Sequence, residues 1–162
     1  MFKWLSAGRE TPPGGEQPPP FAPTALAGRV TSHTLASVAI VEDYLPLRGI
    51  IRRILESESD LYVTGEANDG LAGRELLRKT QPTVLVTDLV LPGLSGVELI
   101  RFAREHFPEI AIVAVSIRAE DPYVRSALDN GALAFVHKSC LHDHLALAVR
   151  SVLIGKQYLR LR

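Results

Sequence analysis

The most constraining feature of the chain is a regular alternation of short apolar runs with segments of helical spacing. Each of five runs is followed by a segment whose apolar residues recur every three or four positions; the runs are "SVAIV", "LYVTGEA", "TVLVTD", "IAIVAVS" and "ALAFVHK". Pro82 and Pro108 end two of the predicted helices, Pro122 lies in the first turn of a third that Gly131 closes, and Gly155 closes the last. Largely apolar strands alternating with helices are typical of a parallel sheet with both faces covered.

The five units predict an α/β protein with a doubly wound sheet. Right-handed crossovers leave few arrangements open, and the strand order 2-1-3-4-5 gives a flavodoxin-like, five-stranded parallel sheet with five helices. Strands one and three are then neighbours, about 4.8 Å apart, and ligands bind beyond the carboxyl ends of the strands. The first helix is expected to place Leu47, Ile50, Ile51, Ile54 and Leu55 on its buried face.

Composition divides the chain into three parts. Residues 1–36 contain the stretch "TPPGGEQPPPFAPTALAG", which has no period and too little apolar surface to offset its ordering entropy. We predict a disordered tail there, with "PPPFAP" as a ligand for an SH3-like groove as the alternative. Residues 37–158 form the predicted domain, and residues 159–162 a short C-terminal tail.

Charge and cysteine content exclude several classes of protein. Eighteen basic and eighteen acidic residues give no net charge, which argues against a large nucleic-acid-binding face. The single cysteine, Cys140, excludes an internal disulfide framework and suits the reducing cytoplasm. No apolar run approaches the roughly 20 residues that span a bilayer. We therefore expect a cytoplasmic protein without direct contact to nucleic acid or membrane.

Polar residues stand at the carboxyl ends of four of the five predicted strands. Glu42 and Asp43 follow the first run, Asp88 ends the third, Ser116 the fourth and Lys138 the fifth. Because the carboxyl ends of parallel strands meet at one edge of the sheet, these side chains are expected to gather in one crevice.

The residue types in this crevice indicate phosphoryl transfer. Neighbouring carboxylates repel each other, and Mg²⁺ relieves the repulsion while keeping waters and adding a phosphate oxygen. A carboxylate such as Asp88 can attack phosphorus and form an aspartyl phosphate. Lys138 would neutralise charge on the phosphoryl oxygens, and the Ser116 hydroxyl would donate a hydrogen bond to them.

Each of these residues alone has a more ordinary explanation. Asp88 could cap the next helix, Ser116 could be a turn residue, and Lys138 could be a solvated lysine. The acidic pair Glu42–Asp43 could simply stabilise a helix N-terminus. Their coincidence at successive strand ends favours a functional site.

The motifs around these residues resemble the receiver domain of bacterial two-component response regulators. The similarity covers Ser37 to Tyr158 and rests on "IVED", "TDLVLPGLSG", "VAVS" and "GALAFVHKS". The stretches "GEANDGLAG", "DNGALAFVHKS" and "VLIGKQYL" further resemble the NarL/FixJ subfamily.

The resemblance implies a phosphoprotein of a phosphorelay, switched by phosphorylation of Asp88. Asp43 would bind Mg²⁺ directly and Glu42 through water, with the backbone carbonyl of Val90 as a further ligand. A receiver catalyses only its own phosphorylation and dephosphorylation, so the chain is not expected to act as an enzyme on other substrates.

The resemblance also implies a two-state switch. Ser116 and Lys138 would contact the phosphoryl group, and Phe135 would swing inward when Ser116 moves. A plain core aromatic is the alternative for Phe135. Val90 stands where many receivers have a polar side chain, which bears on the phosphoryl lifetime, and Ile117 is bulkier than the small residue of many receivers.

The implied partners are a sensor histidine kinase or phosphotransfer protein and a downstream protein target. The target would contact the fourth helix, fifth strand and fifth helix, and a homodimer is possible, as in many receivers. NarL/FixJ regulators continue into a DNA-binding helix-turn-helix, whereas this sequence stops at "YLRLR". The expectation is a stand-alone receiver or the receiver part of a truncated transcriptional regulator.

Two further hypotheses belong to other classes. The chain could be a degenerate receiver that acts as a constitutive interaction or dimerisation module, which the complete set of site residues argues against. A small doubly wound enzyme or nucleotide-binding protein is disfavoured because no G-x-G-x-x-G or G-x-x-x-x-G-K-[ST] motif occurs.

Overall fold

The computed structural model describes residues 35–162, which form one parallel sheet with helices on both faces. The elements follow in the order β1 (Ala36–Val41), α1 (Leu45–Glu56), β2 (Leu61–Ala67), α2 (Gly70–Thr80), β3 (Val84–Asp88), α3 (Gly96–His106), β4 (Ala111–Ser116), α4 (Asp121–Asp129), β5 (Ala134–His137), α5 (Leu141–Leu153) and β6 (Tyr158–Arg160). A short 3₁₀ turn, Lys138–Cys140, joins β5 to α5. None of the helices within the described range is long and apolar enough to cross a membrane.

The predicted doubly wound fold is confirmed, and the sheet has one strand more than expected. The observed order is β2-β1-β3-β4-β5-β6, which contains the predicted 2-1-3-4-5 and adds β6 in parallel to β5. Residues 159 and 160, predicted to lie in a tail, belong to this strand. Three residues are too few to show a strand period, and β6 forms because β5 offers a free edge. The predicted N-terminal tail falls outside the described residues except for Leu35 and Ala36, and Ala36 opens β1.

Local sequence signals set the ends of the helices. Asp69 caps α2 by accepting a hydrogen bond from the Ala72 amide at 2.7 Å. Ser95 and Glu98 form a capping box at the start of α3, in which each side chain accepts from the other residue's backbone. The helices α2 and α3 end before Pro82 and Pro108, as predicted.

Two apolar layers, one on each face of the sheet, hold the helices in place. The layer under α1 and α5 includes Ile51, Leu55 and Leu145, and the layer under α2, α3 and α4 includes Leu77 and Leu99. Ile50, expected on the buried face of α1, is instead 41% exposed because the buried stripe of this helix is narrower than its apolar pattern. Both faces of the sheet are thus covered, and the carboxyl ends of the strands are left as the place for polar side chains.

Candidate functional site

Parallel pairing brings the ends of β1 and β3 together. Val41 pairs with Thr87, so the next residues, Glu42 and Asp88, lie side by side where the pairing of β1 with β3 ends. Asp88 pairs with Val115 on β4, and Ser116 ends that strand one residue further on. Strand register therefore places the predicted residues at one edge of the sheet.

Three carboxylates form a compact cluster at this edge. One oxygen each of Glu42, Asp43 and Asp88 lies within 4.8 Å of the others. Glu42 and Asp88 are buried, whereas Asp43 is exposed to solvent. The cluster has the hard oxygen donors that Mg²⁺ prefers, and Asp43 keeps one side open to water, as that hydrated ion requires.

Lys138 connects the two buried carboxylates. Its Nζ atom donates hydrogen bonds to Asp88 Oδ2 at 2.7 Å and to Glu42 Oε1 at 3.0 Å. Desolvation by burial lowers the pKa of Lys138, but the hydrogen bonds that Lys138 donates to Asp88 and Glu42 outweigh it, so the pKa is raised above the ordinary lysine value. The ammonium group is therefore charged at neutral pH and faces the carboxylate of Asp88.

Burial dominates the electrostatics of Glu42. Desolvation raises the pKa of this carboxyl group, although the hydrogen bond from Lys138 lowers it in part. Glu42 Oε2 lies 2.8 Å from Lys138 Nζ but outside hydrogen-bond geometry, and this buried oxygen has no hydrogen-bond partner among residues 35–162. A buried acceptor of this kind is left for a water or a metal-bound water.

The backbone after β3 fixes Asp88 from the other side. The Val90 amide donates to Asp88 Oδ1 at 3.1 Å, so both carboxylate oxygens are hydrogen-bonded. Gly96, the first residue of α3, lies so close that a Cβ atom there would overlap the carbonyl oxygen of Asp88. The sequence motif with Gly96 eight positions after Asp88 thus has a steric reason.

All but one of the remaining predicted residues lie at the same edge. Ser116 is fully buried, and its Oγ accepts a hydrogen bond from the Arg118 amide at 3.1 Å. No hydrogen bond joins Ser116 to the carboxylates within residues 35–162. Phe135 is fully buried in the layer under α2, α3 and α4, whereas Val90 and Ile117 are 49% and 70% exposed at the rim.

Two residues near the site were not predicted from the sequence. Arg48 on α1 donates from Nη1 to the carbonyl oxygen of Glu42 at 2.8 Å. His137 lies between the loops after β4 and β5, with Nε2 3.0 Å from the Ile117 carbonyl and Nδ1 2.6 Å from Ser139 Oγ. No sequence pattern indicates a role at the site for either residue. In the sequence, Arg48 is an ordinary polar position of an amphipathic helix, and His137 is a strand residue before the lysine.

Comparison with known proteins identifies the family. A family model described as "Response regulator receiver domain" matches residues 38–150. The chain is 30% identical over 125 residues to "Response regulator GacA" of Pseudomonas syringae pv. syringae (strain B728a), covering 77% of this chain and 58% of that protein. It is also 30% identical over 122 residues to "Transcriptional regulatory protein DegU" of Brevibacillus brevis, covering 75% and 52%. The chain thus spans just over half the length of these curated relatives.

A solved structure shows the same fold. The signal receiver domain of the putative response regulator NarL from Mycobacterium tuberculosis superposes with a TM-score of 0.73 at 27% identity, covering 76% of this chain and 99% of that one. These relatives are NarL/FixJ-type regulators, which confirms the resemblance found in the sequence motifs. The family is one of signalling domains rather than a classical enzyme family. The chain belongs to the response regulator receiver domain family.

Proposed function

We propose that this protein is a Mg²⁺-dependent switch that accepts a phosphoryl group on Asp88. The observation that carries the proposal is the contact between the Asp88 carboxylate and the Lys138 ammonium at 2.7 Å, beside Glu42 and Asp43. Phosphoryl transfer depends almost entirely on positioning and on charge neutralisation, and both are present here.

The acidic cluster fits Mg²⁺. Asp43 and Asp88 would bind the ion directly and Glu42 through water, with the backbone carbonyl of Val90 as a further ligand. Glu42 Oε2 is buried, faces the Lys138 ammonium and accepts no hydrogen bond from the described residues, and this supports the assignment because a metal-bound water can donate to it. When bound, Mg²⁺ supplies positive charge that neutralises the phosphoryl oxygens in the transition state.

The chain's own residues account for the transfer. An oxygen of Asp88 attacks phosphorus and forms the O–P bond as the P–N bond of a phosphohistidine breaks, and the imidazole nitrogen keeps the electron pair of that bond. The Lys138 ammonium would then form an ion pair with a phosphoryl oxygen. Ser116 Oγ already accepts from the Arg118 amide, which leaves its hydroxyl proton free to be donated to the phosphoryl group.

The switch residues would report the phosphorylation. As Ser116 donates its hydroxyl proton to the phosphoryl group, its Oγ would draw the Arg118 amide, and with it the loop after β4, toward the site. Phe135 on β5 pairs with Ala114, two residues before Ser116 on β4. The phosphoryl group would bias Phe135 between an outward and an inward position.

The partners follow from the family. The phosphoryl donor would be a sensor histidine kinase or a phosphotransfer protein in the cytoplasm, and the output a protein target or a second copy contacting α4, β5 and α5. The DegU relative is by name a transcriptional regulator, and this chain covers 52% of it. We therefore keep, as a second candidate, that the domain is the receiver part of such a regulator.

Intact-mass spectrometry tests the proposal directly. The full chain is incubated with Mg²⁺ and acetyl phosphate, beside Asp88→Asn and the control Asp143→Asn, an exposed aspartate on α5. We expect one phosphoryl adduct in wild type and in Asp143→Asn, and none in Asp88→Asn or without Mg²⁺. A folded wild-type protein without an adduct would indicate the degenerate, constitutive module instead.

A further inference from the structure

Arg48 connects the acidic pair to the neighbouring strand. It lies in the first turn of α1, and its side chain is 14% exposed. Besides the 2.8 Å hydrogen bond to the Glu42 carbonyl oxygen, its Nε donates to Glu66 Oε2 on β2 at 3.2 Å. The guanidinium is therefore held by two acceptors on two different strands or strand ends.

Glu66 is itself fixed by a second arginine. Arg52, one helical turn after Arg48, donates from Nη1 to Glu66 Oε1 at 2.8 Å and pairs with Glu56 at 2.9 Å. Arg52 is 44% exposed and makes no hydrogen bond or ion pair with Glu42 among the described residues. The two arginines thus share Glu66, but only Arg48 reaches the end of β1.

The contact holds the backbone at the point where the acidic pair leaves the sheet. The Glu42 amide donates to the Ala67 carbonyl at 3.1 Å, and the Glu42 carbonyl accepts the hydrogen bond from Arg48. That carbonyl belongs to the peptide bond between Glu42 and Asp43. A rotation of this peptide would move the carboxylate of Asp43 relative to that of Asp88, and Arg48 opposes the rotation.

We propose that Arg48 is a positioning residue of the Mg²⁺ site. It does not touch the ion, and acts by fixing the Glu42–Asp43 peptide so that the three carboxylates converge. This inference rests on the proposed function, because it presumes that the carboxylates bind Mg²⁺. Outer groups that orient metal ligands commonly change the affinity for the metal when they are removed.

The direction in which Mg²⁺ affinity changes when Arg48 is removed distinguishes a positioning role from a purely electrostatic one. Arg48 carries a positive charge near a cation site, so its removal would tighten Mg²⁺ binding if charge alone acted. Loss of positioning predicts the opposite, a weaker site. Arg52 is the matched control, since its removal takes away the same charge and the same Glu66 partner but leaves the Glu42 carbonyl contact.

The experiment is a Mg²⁺ titration of the full chain followed by amide chemical shifts in NMR. We expect Arg48→Ala to raise the dissociation constant for Mg²⁺ roughly tenfold, Arg48→Lys to recover part of the loss, and Arg52→Ala to match wild type. Urea unfolding without Mg²⁺ shows whether each variant is folded, and stability loss alone does not change the affinity of the folded fraction.

Two results distinguish failure of the proposed function from failure of the positioning role of Arg48. Wild-type protein that binds no Mg²⁺ overturns the proposed function itself. Wild-type protein that binds Mg²⁺, with Arg48→Ala binding as well or better, overturns the positioning role only. If Arg48→Ala does not fold, the pair Arg48→Lys and Arg52→Lys decides, because a lysine at position 48 keeps the charge but cannot hold both acceptors. Equal affinities in that pair also overturn the role of Arg48.

Discussion

Lys138 and Arg150 each lie between two carboxylates, at opposite ends of the sheet. Lys138 joins Glu42 and Asp88 at the carboxyl ends of the strands. Arg150 on α5 joins Glu58 and Asp60, before the start of β2, with Nη2 2.5 Å and 2.6 Å from their oxygens. Each group has one cation and two carboxylates. The side chains of Lys138, Glu42 and Asp88, the buried trio, are at most 13% exposed. Those of Arg150, Glu58 and Asp60, the exposed trio, are 34–49% exposed.

Burial reverses the effect on the carboxyl groups. At the buried trio, desolvation raises the pKa of Glu42. At the exposed trio, the hydrogen bond from Arg150 is the largest influence and lowers the pKa of Asp60. The exposed trio is a surface clamp between α5 and the loop before β2, whereas the buried trio keeps negative charge in a place where charge is unfavourable. The proposed function, binding of Mg²⁺ and a phosphoryl group, would use the buried arrangement.

The largest expected difference is in stability after loss of the cation. Lys138→Met leaves two buried carboxylates without a counterion, and we expect a loss of about 3 kcal/mol in the free energy of unfolding. Arg150→Met removes a half-exposed cation, and we expect less than about 1 kcal/mol. Urea unfolding at neutral pH without divalent cations measures both. Equal losses in the two variants would show that burial does not separate the trios.

Removing one acid from each trio is expected to give opposite pH dependences. The folded-state pKa of Glu42 is raised, so its ionisation lowers stability as pH rises from about 4.3 through the folded value. Glu42→Gln should therefore gain stability relative to wild type over that range. The folded-state pKa of Asp60 is lowered, so its contribution is present above about pH 3.9 and is lost as pH falls through the folded value.

Asp60→Asn should accordingly lose stability relative to wild type near neutral pH and match it in acid. The measurement is the free energy of unfolding of the two variants and of wild type at several pH values, without Mg²⁺. Curves that shift in the same direction for Glu42→Gln and Asp60→Asn would contradict the difference between the two environments.

Salt should produce the smallest effect and only at the exposed trio. At about 1 M salt the screening length falls to about 3 Å, so the stability difference between wild type and Arg150→Met should shrink. The difference for Lys138→Met should persist, because water and ions reach the buried trio less. Unfolding at low and high NaCl concentration compares the two, and a persistent Arg150→Met effect would indicate that this clamp is less hydrated than its exposure suggests.

The residues at the site could be predicted because a parallel sheet aligns its strand ends. The alternation predicted a parallel sheet, and the carboxyl ends of parallel strands lie at one edge. With the flavodoxin-like strand order, Glu42, Asp88, Ser116 and Lys138 were expected to gather there. The strand order and the family are confirmed. The roles of these residues in metal binding and phosphorylation remain predictions.

Contacts that join distant segments could not be predicted in the same way. Arg48 pairs with Glu66 eighteen positions away, and β6 depends on the free edge of β5. The sequence also does not indicate that Glu42 is buried and Asp43 exposed. The two acidic residues are adjacent in one loop, and the directions of their side chains decide which of them is buried. Periodicity describes one element at a time, whereas these features belong to pairs of elements.

The close approach of Gly96 to the Asp88 carbonyl has a consequence for how a signal could leave the site. On one side, the main chain of Asp88 lies against Gly96 at the start of α3. On the other, the amide of the next residue, Leu89, donates to the Val115 carbonyl at 3.2 Å. Under the proposed function, phosphorylation would add bulk and charge to the Asp88 side chain, and the main chain of Asp88 could not move toward α3. Displacement would then be directed away from α3, toward the exposed loop that carries Ile117 and Arg118, so the glycine would give the response its direction.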